Sequence, residues 1–149
     1  MAIKYKALSQ VTLICKHFEE TVDFYVNKVG LDKKRDIVDG EGNVVATDVC
    51  FANGQILHLC RGEYPSERNE MNRSFIHMCF QLDDYLEGNR DIIRRGTTVY
   101  NSRTAKGYPI EDPDVLRKGV CGCFNSFIKD PDGNDIELQM YTMDSKQLL

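Results

Sequence analysis

Six cysteines stand at positions 15, 50, 60, 79, 121 and 123, yet no two form a Cys-x-x-Cys pair. That absence argues against a zinc knuckle. Cys121 and Cys123 would be alternate residues of one strand, a poor geometry for a disulfide between them. No apolar run approaches membrane-spanning length. Met1-Ala2-Ile3-Lys4-Tyr5-Lys6 lacks the apolar core of a secretion signal. No dense Lys/Arg stripe occurs and the net charge is −4, which disfavours a nucleic-acid partner, because phosphates need a basic face. The expectation is a soluble, cytoplasmic protein with neither nucleic acid nor membrane as partner. Its cysteines read as small, mostly buried thiols.

What is present is ordinary globular material: 149 residues, 42% hydrophobic and 28% charged. That suits one domain, or two small modules sharing a core. Alternation predicts a strand over 8–15, with Val11, Leu13 and Cys15 on one face and Gln10, Thr12 and Ile14 on the other. From Phe18 to Val29 the period becomes helical, with Phe18, Val22, Tyr25, Val26 and Val29 as the apolar stripe and Gly30 as the stop. Strands follow over 33–38, 44–51 and 55–61, and a polar linker over 62–73. Then the order restarts: a strand over 75–82, a helix capped by Asp83 and running to Arg95 with Leu86, Ile92 and Ile93 inward, and a short strand over 97–101. A long polar loop spans 102–119, and strands over 121–129 and 134–141 close the set. The pattern is βαβββ twice, with a first module over 8–61 and a second over 74–141, in a single domain over 1–149. Asn53-Gly54-Gln55-Ile56-Leu57-His58-Leu59 aligns without gaps on Asp132-Gly133-Asn134-Asp135-Ile136-Glu137-Leu138, so His58 falls on Glu137. Gln10-Val11-Thr12-Leu13 aligns with His77-Met78-Cys79-Phe80, so Gln10 falls on His77.

The apolar strand faces (Val11, Leu13; Leu57, Leu59; Met78, Phe80; Ile136, Leu138) suit packing under the two helices. The opposite faces carry Gln10, His58, His77 and Glu137. Taken singly, a buried neutral histidine, an edge glutamine or a solvated glutamate would explain each. Together, at matching positions and on one inferred face, they make a mixed N/O set suited to a divalent ion: Ni, Co, Zn, Mn or Fe. Four protein donors leave positions open for water or a substrate oxygen. The third histidine, His17, reads as surface. Arg103, Lys106 and Arg117 in the long loop are candidates for binding an anionic substrate.

At these residues the chain resembles the vicinal oxygen chelate superfamily, the glyoxalase I, bleomycin-resistance and dioxygenase group. The carriers are Gln10-Val11-Thr12-Leu13, Thr21-Val22-Asp23-Phe24-Tyr25 before Gly30-Leu31, Phe75-Ile76-His77-Met78, and Asp130-Pro131-Asp132-Gly133-Asn134 with Ile136-Glu137-Leu138. The resemblance implies an α+β fold, in which paired βαβββ modules form a curved, half-open barrel-like sheet around one divalent metal ion. It places the metal ligands at Gln10, His58, His77 and Glu137, and it implies a homodimer. Glyoxalase I enzymes carry Glu where this chain has His58, and with one carboxylate instead of two a bound ion would keep more positive charge. The implied activity is a metal-dependent lyase or isomerase that stabilises an enediolate from a small substrate with vicinal oxygens, with Glu137 as the catalytic base. Alternatives are an acyl-CoA-type epimerase, an extradiol-type dioxygenase using His58, His77 and Glu137, and a non-catalytic ligand-binding or resistance protein.

Overall fold

The computed structural model describes residues 7–64, 75–104, 106–111 and 118–146. The chain divides into two compact units, Met1–Ser66 and Glu67–Leu149. From residue 65 to 73 the expected linker lies outside the described residues. No helix among the described residues is long and apolar enough to cross a membrane.

In the first unit β1 (Gln10–Cys15) leads into α1 (Phe18–Asp23), followed by β2 (Asp32–Val38), β3 (Val44–Cys50) and β4 (Ile56–Arg61). The sheet order is β1-β4-β3-β2, with β1 and β4 parallel and the other pairs antiparallel. Leu57, Leu59 and Val49 are fully buried on the helix side. Each such side chain contributes roughly 1.5–3 kcal/mol by leaving water. The expected helix over Phe18–Val29 is only half regular, because Phe24–Val29 is π-helical. The wider turn brings the adjacent Phe24 and Tyr25 both inside, while Val22, Val26 and Val29 are half-buried. A 3.6-residue stripe does not anticipate that change of period.

In the second unit β5 (His77–Gln81) and α2 (Tyr85–Arg94) are followed by β6 (Phe124–Lys129) and β7 (Asp135–Met140). The sheet order is β5-β7-β6, with β5 and β7 parallel. Asp84, one residue after the expected cap, caps α2 by accepting from Glu87 N at 2.9 Å. The helix buries Tyr85, Asn89 and Ile92, and leaves Leu86 and Ile93 half-buried. Asn89 is satisfied by donating to Tyr85 O at 2.6 Å and accepting from Ser126 Oγ at 2.6 Å. Tyr85 Oη donates to Asn125 O at 2.8 Å. These bonds fix the helix against β6.

The short strand expected over 97–101 shrinks to one bridging residue, Tyr100, which pairs with Phe127 on one side and Pro109 on the other. Asn101 ends it: its side chain accepts from Tyr108 N at 3.0 Å, turning the chain back. The final hairpin's first strand starts at Phe124 rather than Cys121, and the reason is a turn that occurs four times among the described residues. In residues 39–43, 51–55, 119–123 and 130–134 the first residue's N–H bonds the fifth residue's carbonyl, and the fourth residue's N–H bonds the first residue's carbonyl. The fourth residue is always a glycine at positive φ, between 81° and 88° (Gly42, Gly54, Gly122, Gly133). This is a three-residue hairpin loop closed by a left-handed glycine. Cys121-Gly122-Cys123 therefore lies in a turn. None of the six cysteines forms a disulfide. Cys15 and Cys123 are buried, Cys50, Cys60 and Cys121 half-buried, and Cys79 exposed.

Two of these glycines separate backbone strain from collision. A methyl group on Gly133 meets nothing, whereas one on Gly122 runs into the carbonyl oxygen of Asp144. Gly133→Ala should cost roughly 1–2 kcal/mol from its left-handed φ alone. Gly122→Ala should cost clearly more. Urea denaturation of both variants checks the order; equal costs would contradict it.

Candidate functional site

Each unit carries donors on the sheet face away from its helix, and register explains why. In the first unit Thr12 pairs with His58 across the parallel β1–β4 ladder, and Gln10 stands two residues before Thr12. In the second, Cys79 pairs with Glu137 across β5–β7, and His77 stands two residues before Cys79. The two units thus hold their candidate donors on the same diagonal, as the internal alignment requires.

Gln10 is exposed, and its amide nitrogen donates to Thr12 Oγ1 at 3.1 Å, which leaves the amide oxygen as a donor atom. His58 faces Asp48 on β3, its antiparallel partner. His58 Nδ1 lies 2.5 Å from Asp48 Oδ1, and Arg35 Nε donates to Asp48 Oδ2 at 2.7 Å. The Asp48 side chain is 1% exposed. Burial pulls the Asp48 carboxyl up, but the hydrogen bonds and charges of His58 and Arg35 outweigh it and hold it below the usual aspartate range. At this distance one atom donates to the other, and a carboxylate oxygen can only accept. The neighbouring Cys60 thiol is pushed up by burial and then by the Asp48 charge.

In the second unit His77 Nε2 lies 2.9 Å from Glu137 Oε2. Asn125 Nδ2 donates to Glu137 Oε1 at 3.1 Å. The His77 ring stands edge-on to Phe127, with centroids 5.9 Å apart. Its Nδ1 is buried without a hydrogen-bond partner, the one such side-chain atom among the described residues. An unmatched buried polar atom costs roughly 1–3 kcal/mol, so internal hydrogen bonding alone does not account for this ring. Much of Cys79 is exposed, yet burial of its thiol, then the charge of Glu137 and the nearby Cys123 and Cys121, push it up to about 12. Thr104 Oγ1 donates to Asp135 Oδ1 at 2.6 Å, and Asp135 is the ladder partner of His77. That bond pins the loop carrying half-buried Arg103 and exposed Lys106 to the His77 end of the sheet.

The structure brings His77 and Glu137 into contact and places Gln10 and His58 on one face of the other unit. Arg117 lies outside the described residues. His17 is exposed, as expected, and its carbonyl accepts from Thr21 N at 2.8 Å. Among the described residues no three His, Cys, Asp or Glu side chains form a group that could hold a metal ion. The donors still suit one. Two donor atoms on adjacent positions of an octahedral ion, at bonds of about 2.1 Å, stand roughly 3 Å apart, and His77 Nε2 and Glu137 Oε2 stand 2.9 Å apart. His58 has the arrangement usual for a ligating imidazole, with one ring nitrogen on a carboxylate and the other left to donate. Asp48, Arg35 and Asn125 were not foreseen. The one available signal was a charged residue inside the otherwise small and apolar Val44-Val45-Ala46-Thr47-Asp48-Val49-Cys50.

Residues 7–138 match the model of the Glyoxalase/Bleomycin resistance protein/Dioxygenase superfamily. A comparison with curated proteins finds no match. Among solved structures, a glyoxalase family protein from Enterococcus faecalis is 21% identical with a TM-score of 0.69, over 91% of this chain and 98% of that one. An antibiotic binding protein from a Streptomyces species is 18% identical with a TM-score of 0.66, over 95% of this chain and 100% of that one. An integron cassette protein from the mobile metagenome of V. cholerae is 22% identical with a TM-score of 0.63, over 95% and 100%. These likenesses concern the fold, and they include both a glyoxalase family protein and an antibiotic binding protein. The family match, with the duplicated α+β units and the shared diagonal of donors, makes this chain a member of the glyoxalase, bleomycin-resistance and dioxygenase superfamily.

Proposed function

We propose that this protein is a metal-dependent lyase or isomerase of the glyoxalase I type. Its substrate would be a small molecule with two adjacent oxygens. Gln10, His58, His77 and Glu137 would hold one divalent ion, of Ni, Co, Zn, Mn or Fe. The observation that carries the reading is the 2.9 Å approach of His77 Nε2 to Glu137 Oε2, at positions matched in the other unit by Gln10 and His58. When bound, a divalent ion supplies Lewis-acid polarisation of the substrate oxygens.

Glu137 is the group that moves the proton. It takes a proton from the carbon next to a carbonyl and returns it to a neighbouring atom. Asn125 donates to Oε1 at 3.1 Å and His77 Nε2 lies 2.9 Å from Oε2, and together these contacts fix the orientation of the carboxylate. Arg103, Lys106 and Arg117 meet an anionic part of the substrate. The Thr104–Asp135 bond supports this for Arg103 and Lys106, since it ties their loop to the strand end beside His77. Proteins of this superfamily commonly bind small molecules and often form dimers, in keeping with a homodimer here.

Glu137→Gln should lower kcat by about 10²- to 10⁴-fold while leaving the urea midpoint near its original value. The readout is solvent-deuterium exchange into panels of α-hydroxy-carbonyl and acyl-CoA compounds; full activity in this variant would sink the proposal. Metal supply gives a second check. Saturation to 100 times the dissociation constant stabilises by about 2.7 kcal/mol, which should raise Tm by roughly 5–10 °C, and chelation should reverse the gain. A melting curve indifferent to all five metals would count against a bound ion. Arg103→Ala should raise KM for an anionic substrate about tenfold with little change in kcat, the mark of lost uniform binding; steady-state kinetics would show it.

A further inference from the structure

We infer that Asp48 is a positioning residue for His58: it fixes the imidazole as the Nδ1–H tautomer and so presents Nε2 as the metal-donating atom on the polar face of the first unit. This rests on the metal-dependent reading above and deepens it at one ligand.

Asp48 lies in the middle of β3, between buried Thr47 and Val49. A carboxylate at such a place needs strong partners. It has two, on separate oxygens: His58 Nδ1 on Oδ1 at 2.5 Å and Arg35 Nε on Oδ2 at 2.7 Å. Arg35 is well exposed, with 66% of its side-chain surface in water. His58 is 22% exposed, and Nδ1 is the ring nitrogen that meets Asp48. The ladder sets this up, because Asp48 and His58 are direct partners in the β3–β4 register. Arg35 reaches from β2, where it is opposite Asp48. A chain of three neighbouring strands thus ends on one imidazole. A carboxylate hydrogen-bonded to a ligating histidine sets both its tautomer and its orientation, and losing that partner typically costs about 10- to 100-fold in metal affinity.

The test uses nitrogen-15 NMR of the histidine rings in the metal-free protein, together with titration by Ni²⁺ or Co²⁺ alone. His58→Asn assigns the ring signals among the three histidines. The expected result is His58 as the Nδ1–H tautomer in the unaltered protein. In Asp48→Asn that preference should fall away, and Ni²⁺ or Co²⁺ should bind about 10- to 100-fold more weakly. His58→Ala should weaken binding at least as much. An Nε2–H tautomer of His58 in the unaltered protein overturns the inference without any variant having to fold. So does an Asp48→Asn protein that keeps full affinity while His58→Ala loses it; the metal-site reading would then stand. If His58→Ala binds both ions as tightly as the unaltered protein, it is the metal-site reading that fails at this residue.

Discussion

The constraint on which both units depend is the parallel pairing of first and last strands, β1 with β4 and β5 with β7. A tight turn cannot join two parallel neighbours; the chain between them must travel the length of the sheet and return. In each unit that return is a helix plus at least one hairpin. The helix covers one face, which must then be apolar, and the opposite face is released for polar side chains. The diagonal from Gln10 to His58, and from His77 to Glu137, follows from the parallel register in both units. A slip of one residue would send His58 and Glu137 under the helices and bring Leu57 and Ile136 to the donor face.

Much of this was legible because alternation and turn chemistry are local. Leu57-His58-Leu59 and Ile136-Glu137-Leu138 declare their faces by period alone, and the glycines at 42, 54 and 133 mark turns that the structure contains. The π-helical stretch from Phe24 was not legible, because two adjacent aromatic residues fit either period until packing selects one. The strand expected at 97–101 failed for a different reason. Its residues favour extension, but Asn101 closes a loop with Tyr108 after a single pairing. Cys121-Gly122-Cys123 reads as strand because its alternation resembles that of the strand that follows, and Gly119 reads as the end of the loop before it. Gln10, His58, His77 and Glu137 were visible through the repeat. Asp48 and Asn125 were not, because each reaches its partner across a hairpin, and hairpin register is a tertiary fact.

The second unit links fold to site most directly. Tyr85 on α2 holds the backbone carbonyl of Asn125, and the Asn125 side chain holds Glu137. Asn89 ties the same helix to Ser126 next door. The bonds that dock the helix therefore also orient the strand residue that steadies the proposed base, so helix packing and carboxylate geometry are not independent. Displacing α2 would disturb Glu137 through Asn125 although the helix itself lies on the opposite face.

Asp48 changes the electrostatics around His58. Where glyoxalase I enzymes carry a glutamate, an imidazole alone would leave a bound ion with one carboxylate fewer. In this fold the missing carboxylate stands one bond further back, behind the ring. A negative charge joined to an imidazole N–H raises the basicity of the other nitrogen, so part of its effect passes to whatever that nitrogen binds. Arg35 pulls the other way through Oδ2, but its guanidinium is largely in water, where screening weakens it relative to the buried contact. A buried ion pair rarely adds stability over an apolar pair of similar size, and β3 is otherwise built of residues that need no such partner. On physical grounds the Arg35–Asp48–His58 chain is thus better explained by what it does to the imidazole than by what it adds to the sheet.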